Sequence, residues 1–272
     1  MTPMFVRRSL GIAATVGTAA AIALGTGGAA HASSADYVAL GDSYSSGVGA
    51  GSYTSASGSC DISTNAYPYL WDGANSPSSF TDDSCSGATT STVESSQLSG
   101  LNSSTTLVSI TVGGNDVGFS SVMETCILDG TSSCESAVST AETEAQNDLP
   151  AKLDTLFGDI QSDAPNAHVV VMGYPEFYDL NESSGCVGLS TDSRSAIDGG
   201  ADTLDGVIST EAAKYSGFSY VDVRPYFSGH EICDSSSWLH SFNILDTTES
   251  YHPTASGQSG AYYPAFEAGV AE

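Results

Sequence analysis

The sequence predicts an α/β domain with a parallel central sheet covered by helices on both faces. Three observations carry this. Four short apolar runs are β-branched or aromatic, and turn residues bound each of them. Amphipathic helical patterns lie between the later three runs. Neither an internal repeat nor a linker interrupts the chain after its first segment, so one sheet must accept all four runs.

Taken in order, residues 1–32 read as a secretory signal peptide. Arg7 and Arg8 start it, Leu10 to Leu24 is apolar, and Ala30-His31-Ala32 suits a cleavage site. The arginine pair leaves both the twin-arginine and the general export route open. Ser33–Glu272 would then be a single domain outside the cell, and no later run is long enough to span a bilayer. The first strand, Tyr37–Leu40, stops on Gly41-Asp42-Ser43. Loops rich in Ser, Gly and Asn are expected at 52–63 and 76–104. The second strand, Leu107–Val112, stops on Gly113-Gly114-Asn115-Asp116. Helical spacing over Glu135–Asp163 places Val138, Leu149, Leu153, Leu156, Phe157 and Ile160 on one side, with a break at Pro150. The third strand, His168–Met172, stops on Gly173-Tyr174-Pro175, and a loop is expected at 179–190. Ser193–Tyr215 repeats the helical pattern with Ile197, Leu204, Val207 and Ile208, capped by Asp192. Phe218–Val223 is the fourth strand, and Pro264–Val270 closes the chain as a short helix. Ligands of such sheets bind beyond the carboxyl ends of the strands, so the first two stops face one crevice.

Composition narrows the function. The chain carries 32 acidic against six basic residues, and all the acids lie after the signal segment. Nucleic acid, which needs clustered cations, is excluded as a partner, and anionic membranes should repel the protein. Any lipid must be gripped by apolar contact. Six cysteines in an exported chain read as three disulfides. Spacing does not fix the pairing; the expectation is that neighbours pair, as Cys60–Cys85, Cys126–Cys134 and Cys186–Cys233. The absence of C-x-x-C argues against a zinc knuckle or redox motif.

A serine at a strand's end needs a base before it can attack. Of the five histidines, His31 falls in the signal segment, His168 opens a strand, and His230 and His240 have no surrounding pattern. His252 sits in Glu249-Ser250-Tyr251-His252-Pro253-Thr254, where the proline imposes a turn. With Gly41-Asp42-Ser43, Cys85-Ser86-Gly87-Ala88 and Gly113-Gly114-Asn115-Asp116, this run completes four blocks in order. Any one block is weak; together they make the chain resemble the SGNH (GDSL) ester hydrolases, most of all secreted actinomycete lipases and phospholipases A1.

The resemblance implies a three-layer α/β/α, flavodoxin-like SGNH-hydrolase fold. It implies Ser43 as nucleophile, His252 as base, and an oxyanion hole from the N–H of Ser43, the N–H of Gly87 and the side-chain amide of Asn115. The family usually has aspartate three residues before its histidine, where this chain has Glu249. Either Glu249 or the backbone carbonyl of Ser250 would orient the imidazole, the carbonyl being preferred. Neither a metal nor another cofactor is needed for such chemistry. The implied substrate is a lipid or other acyl ester, met in transient contact with a lipid interface by a monomer. Carbohydrate acetyl esters and short-chain esters are the alternative substrates within the family. An α/β-hydrolase of the G-x-S-x-G type and an H-E-x-x-H zinc hydrolase lack their motifs here. A binding domain would have no reason to place Ser, Gly, Asn and His at these four loops. Asp42 and Asp116 read as loop-shaping residues, and Phe119, Trp238 and Leu239 as core or as the lining of an acyl groove.

Overall fold

The computed structural model describes residues 1, 3–4, 34–181 and 188–272. The expected signal peptide, residues 1–32, lies almost wholly outside them, as does Cys186 of the third expected disulfide. From Asp36 the chain runs β1 (Asp36–Gly41), α1 (Ser43–Ser46), α2 (Tyr67–Asn75), β2 (Ser79–Asp82), α3 (Thr90–Ser96), β3 (Leu107–Thr111), α4 (Phe119–Leu128) and α5 (Thr131–Asn147). It continues with α6 (Leu149–Asp163), β4 (His168–Met172), α7 (Thr191–Ala212), β5 (Phe218–Val221), α8 (Arg224–Phe227), α9 (Ala255–Gly257) and α10 (Tyr263–Val270).

All five strands are parallel, in the order β2-β1-β3-β4-β5. Val108, Ile110, Val169, Val170, Val171 and Met172 are all fully buried. Central strands of a parallel sheet are covered on both faces, so they read as continuous apolar runs. On one face α10 packs with α2: Phe266 stacks on Tyr37 at 5.5 Å, and Trp71 meets the same ring edge-on at 5.2 Å. The other face is covered by α3, α6 and α7, which bury Leu149, Leu153, Phe157, Leu204 and Ile208.

The predicted strands recur, two with shorter ends. The expected loop at 76–104 is corrected: it contains β2 and α3. β2 reads Ser-Phe-Thr-Asp and alternates between exposed and half-buried residues. It pairs only with β1, so it never needed the apolar run of a central strand. The helical break falls at Asp148 and not at Pro150; the proline sits in the first turn of α6, where its missing N–H costs nothing. Ser190, not Asp192, caps α7, its hydroxyl accepting from Ser193 N at 3.1 Å.

The strand order places the site. β1 has β2 on one side and β3 on the other, so the connections leaving β1 and β3 diverge there. The gap between their carboxyl ends is the sheet's switch point. Gly41 ends β1 at φ 118°, and a Cβ there would lie 2.3 Å from the carbonyl oxygen of Thr111. Only glycine allows β1 to turn sharply against β3 at this point.

Candidate active site

The turn after Gly41 starts α1. Asp42 caps it, its carboxylate accepting from Tyr44 N at 3.0 Å, and Ser43 is the first helical residue. Gln97 clamps the strand end from the side: its carbonyl accepts from Gly41 N at 2.7 Å and its amide donates to Gly41 O at 2.9 Å.

Two further loops are tied to this turn. A disulfide joins Cys60 to Cys85, and Cys85 N donates to Gly41 O at 2.9 Å. That bond fixes the loop carrying Gly87, which holds φ 78°. Asn115, after β3, donates from its side-chain amide to Ala88 O at 3.0 Å. One amide proton is thereby anchored, leaving the other free to point into the cavity. Among the described residues, the N–H groups of Ser43 and Gly87 donate to no acceptor. Ser43, Gly87, Asn115 and His252 all line one cavity.

His252 arrives from the far end of the chain. Its Nε2 lies 2.7 Å from Ser43 Oγ. The ring packs against Tyr44, centroids 5.1 Å apart, and Tyr44 OH donates to the carbonyl of Tyr251 at 2.9 Å. Nδ1 is buried without a partner of hydrogen-bond geometry. Burial depresses the imidazole from the usual 6.5 to about 4; the nearby Ser250 carbonyl is the largest opposing influence, with smaller ones from the carbonyls of Thr248 and Glu249, while His240 adds to the depression. The carboxylate of Glu249 faces elsewhere, accepting from Tyr53 OH at 2.9 Å.

A neutral imidazole is what a general base must be. The acid limb of kcat/KM should therefore fall near pH 4, with activity kept as pH drops through 6.5 and lost only as it passes the depressed value. At about pH 5.5 an imidazole at 6.5 would leave roughly a tenth of the neutral-pH activity, whereas one near 4 leaves nearly all of it. A step near pH 6 would belong to Asp42, which burial pushes up to about 6 against its hydrogen bonds. Glu249→Gln should leave kcat within about threefold and the acid limb in place. A loss of several orders would assign the orienting role to that carboxylate.

Motif reading missed several residues. Tyr174, after β4, donates to Asp42 at 2.5 Å and accepts from Gly114 N at 3.2 Å, joining the serine turn to the asparagine turn. Thr111 donates to the other Asp42 oxygen at 2.7 Å. Both sit at carboxyl ends of strands facing the crevice, which was the available signal. Asp116 does shape a loop: it accepts from Thr90 N at 2.9 Å and Thr90 Oγ1 at 2.7 Å. His168 bonds Ser219 at 2.9 Å in the sheet. His230 stacks on Trp238, centroids 3.6 Å apart, away from Ser43, and Leu239 is core. Of Phe119, Trp238 and Leu239, each read as core or groove lining, Phe119 lines the cavity and the other two do not.

That cavity holds about 640 Å³. From Ser43 and His252 it extends between α4, α5 and α7, where Met123, Ile127, Val138, Ala145, Ile197 and Leu204 line it. A disulfide between Cys126 and Cys134 fastens α4 to α5 beside it.

Known proteins resemble this chain in sequence and in fold. The profile of the GDSL-like lipase/acylhydrolase family matches residues 39–259. The chain is 55% identical to Lipase 1 of Streptomyces coelicolor over 240 residues, 88% of each chain. Among solved structures it resembles phospholipase A1 from Streptomyces albidoflavus NA297, with TM-score 0.83 and 52% identity over 85% of this chain and 98% of the other. It also resembles an extracellular lipase from Streptomyces rimosus, with TM-score 0.84 and 50% identity over 86% and 99%.

Proposed function

The chain belongs to the GDSL-like lipase/acylhydrolase family and is a carboxylic ester hydrolase, and from that premise we propose that it is secreted and cleaves the acyl esters of lipids through an acyl-enzyme on Ser43. Acylglycerols and the first position of glycerophospholipids are the substrates. The observation that carries this is the apolar cavity between α4, α5 and α7, which opens at the 2.7 Å Ser43–His252 pair. An acetyl group would leave most of about 640 Å³ empty, whereas a long acyl chain fills it with methylenes.

In the first half-reaction Ser43 Oγ attacks the ester carbonyl as its proton passes to Nε2 of His252. The carbonyl oxygen gains the negative charge where the N–H of Ser43, the N–H of Gly87 and the free amide proton of Asn115 converge. Collapse expels the alcohol, which takes the proton from His252. Water, deprotonated by the same nitrogen, then attacks the acyl-serine, and as the acid departs His252 returns that proton to Ser43 Oγ. We assign the imidazole proton to Nδ1, on the side of the nearby Ser250 carbonyl, which favours it there without a formed hydrogen bond and leaves Nε2 free to accept. Export is supported by the basic-apolar segment 1–32, by the disulfides and by the extracellular relative.

A substrate series tests this, with Ser43→Ala as the blank. Glycerides and phosphatidylcholines of increasing acyl length should show kcat/KM rising by about tenfold or more from acetyl to medium chain. An acetylated sugar should be poor. Turnover confined to acetyl esters would overturn the lipid reading and favour a carbohydrate esterase.

A further inference from the structure

From residue 34 onward, six large apolar side chains are exposed among the described residues: Tyr53, Leu128, Leu180, Phe242, Ile244 and Leu245. Scattered apolar residues on a surface are ordinary, but a clustered rim is not. Leu128, Phe242 and Ile244 all border the cavity that holds Ser43 and His252, and Leu245 follows directly. Ile244 is 78% exposed and Leu245 93%.

The loop that carries three of these four is built, not loose. Its base is closed by two backbone bonds of 2.9 Å, His240 N to His252 O and Tyr251 N to His240 O. Inside it, Asn243 N donates to Ser250 Oγ at 2.9 Å, Ser250 Oγ donates to Asp246 O at 3.1 Å, and Leu245 N donates to Asn243 Oδ1 at 3.0 Å. With its polar groups bonded to one another, the loop can leave water on its apolar side without stranding them.

We infer that this rim is a docking surface for a zwitterionic phospholipid layer; the inference rests on the lipid-ester reading. Continuity selects lipid: an acyl chain leaving a layer seated on Ile244 and Leu245 enters the cavity without crossing water. Charge selects the headgroup. Carboxylates flank the rim at Glu124, Asp129 and Asp246, and the stretch 241–250 contains no lysine or arginine. Choline groups, the outermost charges of a phosphatidylcholine surface, meet those carboxylates favourably. A net anionic surface is repelled.

The test measures binding to vesicles of di-ether phosphatidylcholine, which contains no ester to cleave, together with turnover of a water-soluble short-chain ester below its aggregation limit. Leu245→Asp, outside the cavity lining, should weaken vesicle binding about tenfold or more and leave kcat/KM on the monomeric ester within about twofold. Wild-type binding should fall when anionic lipid is added at low salt. Unchanged vesicle binding by the variant would overturn the inference, as would stronger binding to anionic vesicles. An equal loss on the monomeric ester would show that the loop serves only the fold. A wild-type dimer dispersed by Leu245→Asp would make a second copy the occupant instead. Failure of the lipid reading shows separately, as absent turnover of long-chain esters by the wild type.

Discussion

Ser43→Ala is expected to lower kcat by about 10⁴–10⁶ while leaving the fold intact, and His252→Ala to do the same. Among the described residues the hydroxyl of Ser43 bonds to His252, so removing it strands no other described group. In the proposed mechanism the two residues act as a unit: without the imidazole the hydroxyl keeps its proton, and without the hydroxyl the imidazole has nothing to deprotonate. The double variant should therefore be no slower than the worse single one. Rates on a soluble ester, with Tm for each variant, check this. Ordinary turnover by Ser43→Ala would remove the acyl-enzyme from the mechanism. Multiplying losses would mean that the two side chains work independently.

Asn115→Ala is expected to lower kcat by about 10²–10³, some 2.7–4 kcal/mol of transition-state stabilisation, with little change in KM. The geometry explains the split. The amide is tethered to Ala88 O at 3.0 Å before substrate arrives, so the second proton is aimed without further ordering. That proton matters when the carbonyl oxygen becomes an anion and much less when the ester merely binds. Asn115→Asp should be at least as damaging, because a carboxylate has no proton to give and would oppose the developing charge. A loss seen mainly in KM would make Asn115 a substrate-gripping residue and move the charge stabilisation to the backbone donors.

The sequence reading reached the parts of this molecule where physics acts over a few neighbouring residues. β3 and β4 were visible because both of their faces are buried. The turn at Gly41 was visible because no other residue tolerates the approach to Thr111. What stayed hidden depends on distant partners. β2 is half exposed and gave no periodic run. Tyr174 reaches Asp42 across 132 positions, and nothing in the surrounding residues marks it as a brace. Where the Glu249 side chain points was equally hidden, since its carboxylate accepts from Tyr53, on a loop 196 positions earlier. Motif order led to Ser43, Gly87, Asn115 and His252, and neighbour pairing of cysteines to the Cys60–Cys85 bridge, while the bonds from Cys85 N to Gly41 O and from Asn115 to Ala88 O emerged only from the folded chain.

Positions 43 and 252 lie 209 residues apart, yet share one proton across the site. A ribosome making this protein releases the hydroxyl early and the imidazole late. Throughout that interval the growing polypeptide holds a serine without its imidazole partner, so on the proposed mechanism a partly made chain has no way to cleave an ester.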